Sequence, residues 1–115
     1  MIARKNRFHG YGSLKYVYTH GHTVRGPLIT MKFTTNPKRQ EYRLAVVVSK
    51  KVSKSAVVRN RIRRRLFEAV RLQQSKLKEP YDIVITVFSE QLKEAPSDDV
   101  RKMISSLFEQ GRLFS

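Results

Sequence analysis

A chain of 115 residues with 24 Lys and Arg against 9 Asp and Glu, a formal net charge of +15, has room for one modest core and repels itself unless a polyanion supplies counter-charge. Its longest apolar stretches, such as Leu44 to Val48, fall far short of the roughly 20 residues a spanning helix needs, so no integral membrane protein is expected. With no cysteine there is no disulfide, no thiolate nucleophile and no cysteine-ligated zinc or iron–sulfur site.

The charge is concentrated. Up to Lys78 there are 20 basic residues and 2 acidic ones, Glu41 and Glu68, whereas from Glu79 onward there are 4 basic and 7 acidic. The expected polyanion is nucleic acid, met by the first two thirds of the chain. Met1-Ile2-Ala3-Arg4-Lys5 is basic but lacks the apolar segment of about 7 to 15 residues that makes a secretory signal, so a cytoplasmic location is expected.

In chain order, residues 1–12 are polar, basic and Gly-containing and read as a flexible arm, ahead of a single domain over 13–115. Leu14, Val17 and Tyr18 then take the spacing of a short amphipathic helix that Gly21 stops. From Val24 to Thr34 the composition predicts a strand, with Gly26-Pro27 at an edge or entry position, and Asn36-Pro37 marks a turn. The run Tyr42 to Ser49 is continuously apolar through Leu44 to Val48 and predicts a central strand covered on both faces. Between about Ser55 and Lys76 the pattern becomes helical, with Val58, Ile62, Leu66 and Ala69 on one stripe, Val70 at its edge, and Ser53 or Ser55 as cap. Pro80 ends any helix, Tyr81 to Phe88 reads as a second buried strand, and Ser97-Asp98-Asp99 opens a helix whose apolar face is Val100, Met103, Ile104, Leu107 and Phe108. The sum is an α/β or α+β sandwich, helices packed on one small sheet.

The segment Lys50 to Arg71 carries the chemistry. It holds nine basic residues, Lys50, Lys51, Lys54, Arg59, Arg61, Arg63, Arg64, Arg65 and Arg71, and one acid, Glu68. At about 100° per residue the apolar stripe faces the sheet, Asn60, Arg64 and Arg71 point away, and Arg59, Arg61, Arg63 and Arg65 lie on the flanks. Guanidinium forks match phosphate and stack on bases, and an amide such as Asn60 bonds base edges or a 2′-hydroxyl. A merely solvated face mixes its charges, and here only Arg64 and Glu68 offer a four-residue pair.

Val48-Ser49-Lys50-Lys51-Val52 followed by Ala56-Val57-Val58-Arg59-Asn60-Arg61-Ile62-Arg63-Arg64 resembles the signature of the bacterial ribonuclease P protein subunit. Leu14 to Gly21 and Tyr81 to Ile85 extend the resemblance over roughly residues 7 to 110. It implies a four-stranded sheet with helices, like the second domain of ribosomal protein S5, with a left-handed β-α-β crossover against the usual rule. It also implies a ribonucleoprotein that hydrolyses the 5′ leader from precursor tRNA. The catalytic RNA and its magnesium ions would carry the reaction, and the protein would hold no cofactor. By position, Arg59, Asn60, Arg61, Arg63, Arg64 and Arg65 would contact the catalytic RNA, with Lys50, Lys51 and Lys54 adding phosphate contacts. Leu14, Tyr18, Lys32 and Ser49 would line a cleft for the single-stranded leader. Three positions depart from the family's habit: Leu14 stands where an aromatic residue is usual, Phe67 where arginine is common, and Ser53 where glycine is frequent.

Catalysis by the protein itself has little to draw on. His9, His20 and His22 are the only histidines, and the last two, two residues apart in a helix-to-strand connection, are expected to diverge. Asp98-Asp99 suits a helix N-terminus. The competing reading is a ribosomal or assembly protein using the same basic helix as structural glue.

Overall fold

In the computed structural model, which describes residues 3–8 and 11–114 and only the backbone of Tyr11, seven main elements follow one another. They are α1 (Tyr11–His20), β1 (His22–Arg25), β2 (Ile29–Thr35), β3 (Arg43–Val47), α2 (Ala56–Arg71), β4 (Tyr81–Val87) and α3 (Ser97–Gln110). The strands form one sheet in the order β1-β2-β4-β3, antiparallel except for β3 and β4, which run parallel and are joined through α2. Three helices on a four-stranded mixed sheet make the α+β class that the pattern predicts.

Strand register sorts the side chains into two faces. Ile29, Met31 and Phe33 of β2, Leu44 and Val46 of β3, and Ile83, Ile85 and Val87 of β4 are buried with Ile62, Leu66, Ala69 and Val70 of α2 and Val100, Ile104, Leu107 and Phe108 of α3. Each of these side chains larger than Ala69 contributes about 1.5–3 kcal/mol when fully buried, which makes this face the main source of stability. The opposite face carries α1, which packs on β2 and β4 and brings a second buried pair of residues, Val17 and Val84. Gly21 ends α1 because nothing larger fits: a Cβ there would lie 2.4 Å from the Val17 carbonyl oxygen.

Three expectations change. The stretch from Val24 to Thr34 is a hairpin, not one strand: Gly26-Pro27-Leu28 turns β1 into β2, and the Gly26 amide donates to the Ile29 carbonyl at 2.8 Å. Proline has no amide for a ladder, so it falls between the strands. The apolar run around Leu44 to Val48 is the edge strand, and β4 is the central one. The run is continuous because its faces serve different purposes: Leu44, Val46 and Val48 enter the main core, while Ala45 and Val47 are half-buried on the α1 side. Finally, the described part of the segment read as an arm lies along the free edge of β3. Asn6 is buried and donates to the Tyr42 carbonyl at 2.8 Å, Arg7 bridges to Leu44, and Lys5 pairs with Glu41 at 3.2 Å. The Phe8 ring sits 4.7 Å from the Arg43 guanidinium. That guanidinium is itself buried, forked onto Asp82 at 2.8 and 2.6 Å, with Asn36 donating to the same carboxylate at 2.9 Å.

Candidate nucleic-acid interface

The basic helix is set by its cap. Ser55 Oγ accepts from the Val58 amide at 3.2 Å, and Ser53 Oγ accepts from the Ser55 amide at 3.2 Å, so of the two serines Ser55 caps α2 and Ser53 braces the cap. With Ile62, Leu66, Ala69 and Val70 held in the core, the helix cannot rotate, and the directions of its cations are fixed.

Those cations fall into two groups. Arg65 is half-buried and directs one terminal nitrogen to the Leu92 carbonyl at 2.6 Å and the other to the Ala95 carbonyl. Arg61 donates through Nε to the Lys93 carbonyl at 2.8 Å, and Arg59 through one terminal nitrogen to the Ser53 carbonyl at 2.9 Å. Three arginines thus tie α2 to its preceding loop and to the turn Glu90–Lys93, and Arg59 and Arg61 keep further donors for a partner. The side chains of Asn60, Arg63 and Arg64, by contrast, hydrogen-bond to no other described residue, and Asn60 and Arg64 are exposed. Lys50, Lys51 and Lys54 stand exposed on the loop before the helix. The expected pair of Arg64 with Glu68 does not form. Glu68 instead accepts a fork from Arg71, one leg at 3.0 Å, which holds its carboxyl below the usual range and leaves Arg64 outward.

On the other side of the sheet, Lys32 Nζ donates to the Tyr18 carbonyl at 3.1 Å and lies 5.7 Å from the centre of the Tyr18 ring. Lys32, Val84 and Ala45 form one row across this face in register, and Leu14 lies one turn before Tyr18 on α1. Tyr18 and Lys32 therefore come together with Leu14 nearby. Ser49 is exposed beyond the end of β3, where its carbonyl accepts from Val52, and it makes no hydrogen bond to the other three.

The histidines do diverge. His20 stacks on Tyr16 at 4.5 Å and His22 lies against Phe33 at 5.5 Å, while His9 falls outside the described residues. Among the described residues no group of three His, Asp or Glu could hold a metal ion, and no helix is long and apolar enough to cross a membrane.

A family model described as Ribonuclease P matches residues 2–111. The chain belongs to the ribonuclease P protein family. A ribonuclease P protein component from Pseudanabaena sp. is 38% identical over 87 residues, covering 76% of this chain and 75% of the relative. One from Caldanaerobacter subterraneus is 38% identical over 100 residues, covering 87% and 84%. Among solved structures, the RNase P protein of Staphylococcus aureus superposes with a TM-score of 0.82 at 22% identity, covering 96% of this chain and 98% of that one. That of Thermotoga maritima gives 0.80 at 21% identity, covering 90% and 96%, and both support the fold. This ribonuclease P protein is thus an RNA-binding component of an endoribonuclease of tRNA processing, and the reading of a ribosomal protein is not favoured.

One feature of this surface escapes a reading of residue types: the carbonyl partners of Arg65 lie 27 and 30 residues along the chain, beyond any local pattern. Phe67, a departure visible in the sequence two turns on from Asn60, lines a cavity with Leu14.

Proposed function

We propose that this ribonuclease P protein binds the catalytic RNA of the enzyme through the outer face of α2 and the single-stranded 5′ leader of precursor tRNA across α1 and the sheet. Asn60, Arg63 and Arg64, with Lys50, Lys51, Lys54 and the spare donors of Arg59 and Arg61, meet RNA phosphates and base edges. Arg65 holds the helix in place. Tyr18 and Lys32 form a platform for a leader base and its phosphate, with Leu14 beside them and Ser49 at the far end of the cleft. The RNA and its magnesium ions carry the hydrolysis, the protein supplies no acid, base or nucleophile, and the complex works in the cytoplasm.

The observation that carries this reading is the division of α2. A rigid helix whose outward Asn60, Arg63 and Arg64 side chains have no partner among the described residues, together with an aromatic ring and its neighbouring ammonium on the sheet's other face, fits a single strand better than a smooth duplex. Adding the protein to the catalytic RNA at low magnesium is expected to enhance leader removal from precursor tRNA. No enhancement would overturn the proposal.

A further inference from the structure

A cavity of about 480 Å³ lies between α2 and the opening turn of α3, and it shares no residue with the cavity lined by Leu14 and Phe67. On the α2 side it is walled by Arg61, Arg64, Arg65, Glu68, Ala69 and Leu72, which recur at the three- and four-residue spacing of one helix stripe. Ala69 and Val100 are buried and form an apolar floor, and Leu72, at the C-terminal end of α2, stands 59% exposed beside them. Arg61 and Arg64 occupy the other end, with Leu72 about 12 Å along the helix from Arg64. We propose that this cavity is a nucleotide site, in which an unpaired base lies over Ala69 and Val100 against Leu72 and its 5′-phosphate is held by Arg61 and Arg64. Two sources present this chemistry, a nucleotide turned out of a folded RNA and a free nucleotide. The inference rests on the reading of α2 as a face for phosphates and extends that face round to α3.

The first support is charge. Two carboxylates reach the lining, and each already has a cation: Glu68 accepts the fork from Arg71, and Asp98 lies 3.2 Å from Arg101. Arg61 and Arg65 bond to neutral carbonyls, and the Arg64 side chain bonds to no described residue, so three guanidiniums keep their full charge in the cavity. Arg61 uses Nε alone, which leaves its terminal nitrogens, like those of Arg64, to fork onto a phosphate. The second support is the neighbouring apolar surface. A bare phosphate has no use for Ala69, Leu72 and Val100, and an acyl chain has no use for the arginines, whereas a nucleotide carries an apolar face and an anion in one unit. The third is size. The volume lies within the range of about 300 to 1,000 Å³ that accepts small organic groups. The apolar part is confined to three side chains, enough for one base and too few for the repeated anchors of a docked protein helix.

The test titrates isotope-labelled full-length protein, observed by amide NMR, with adenosine 5′-monophosphate and separately with inorganic phosphate at equal ionic strength. The nucleotide is expected to bind about ten-fold more tightly than phosphate, with shifts concentrated at the facing stretches of α2 and α3. Leu72→Ser, at an exposed position outside the core, is expected to bring the nucleotide down to the affinity of phosphate, and Leu72→Met to retain the difference. Binding to the catalytic RNA then separates the sources. If the nucleotide belongs to that RNA, Leu72→Ser also weakens RNA binding several-fold without changing its salt slope, because an apolar contact releases no counter-ions. If the site serves a free nucleotide, RNA affinity is unchanged while nucleotide binding is lost; either result supports the site. A nucleotide that binds no better than phosphate, or whose binding survives Leu72→Ser, overturns the inference. Stronger competition from a glutamate-rich peptide than from the nucleotide would assign the cavity to a protein and overturn it as well. Arg63→Ala lies outside the cavity and tells the two readings apart. Should the nucleotide fail while Arg63→Ala still weakens RNA binding, the inference falls and α2 as the RNA face stands; should Arg63→Ala also have no effect, both fall together.

Discussion

Arg64 stands exposed on α2 with no described partner, while Arg65 turns both terminal nitrogens to carbonyls of the Glu90–Lys93 turn and its exit. Removing Arg65 strands those carbonyls at a half-buried position. Arg65→Ala is therefore expected to lower the unfolding free energy by about 1.5–3 kcal/mol, and Arg64→Ala by less than about 0.5, as read from urea midpoints. Arg65→Lys should recover only part of the loss, because a single ammonium cannot fork across two carbonyls. Tyr42 gives a different kind of test. Its hydroxyl is buried without a hydrogen-bond partner among the described residues. Burial pushes its pKa from 10.0 up to about 12, with Arg71 drawing it down and Glu41 pushing it up. The folded state thus favours the neutral phenol, while the unfolded chain ionises at the ordinary value. The stabilisation is whole below pH 10 and is lost as pH rises through about 12. Tyr42→Phe is expected to match or exceed the wild type by up to about 1 kcal/mol at pH 8, with its advantage widening between pH 10 and 12. Denaturant titrations at pH 8 and pH 11 check both; an advantage that shrinks with pH would contradict the assignment.

For whole elements, α2 is a bar fastened along one face and one flank. Phosphate contacts add to the salt dependence of RNA binding, whereas internal clamps do not. Arg63→Ala and Arg64→Ala are each expected to reduce the slope of log affinity against log salt by about 1, with Arg65→Ala leaving it unchanged. Identical slopes for all three would mean that the outward cations are not at the interface. The helices and their cores were legible because Ile62, Leu66 and Ala69, and Val100, Ile104 and Leu107, recur at helical spacing. Strand order was not. The runs Leu44 to Val48 and Ile83 to Val87 look alike, and which becomes central is decided by where the chain returns after α2, a property of tertiary packing. The short strand β1 escaped because its residues are mostly exposed and it buries too little to leave an apolar pattern. Residue types likewise marked α2 as the candidate interface, but not which of its arginines bond to carbonyls of the same chain.

The molecule as a whole carries +15, and its described ion pairs outside Arg43–Asp82 are at least partly exposed and offset little of that repulsion. Two effects of salt compete here. Screening weakens those few surface pairs, each worth about 1 kcal/mol at most, and it also weakens the mutual repulsion of the cations over the first 78 residues. The excess of like charge makes the repulsion outweigh the pairs. Raising ionic strength from 0.01 to 0.15 M contracts the screening length from about 30 to about 8 Å, shorter than the span of the basic surface. The free protein is therefore expected to melt higher with added salt, by a few degrees, on the order of 1 kcal/mol for a domain of this size. Inorganic phosphate should exceed chloride at equal ionic strength, because a bound oxyanion supplies the forked contacts that Arg63 and Arg64 leave open. A melting temperature that falls with salt would place the balance in the ion pairs, and equal effects of the two anions would remove specific anion binding from the outer face of α2.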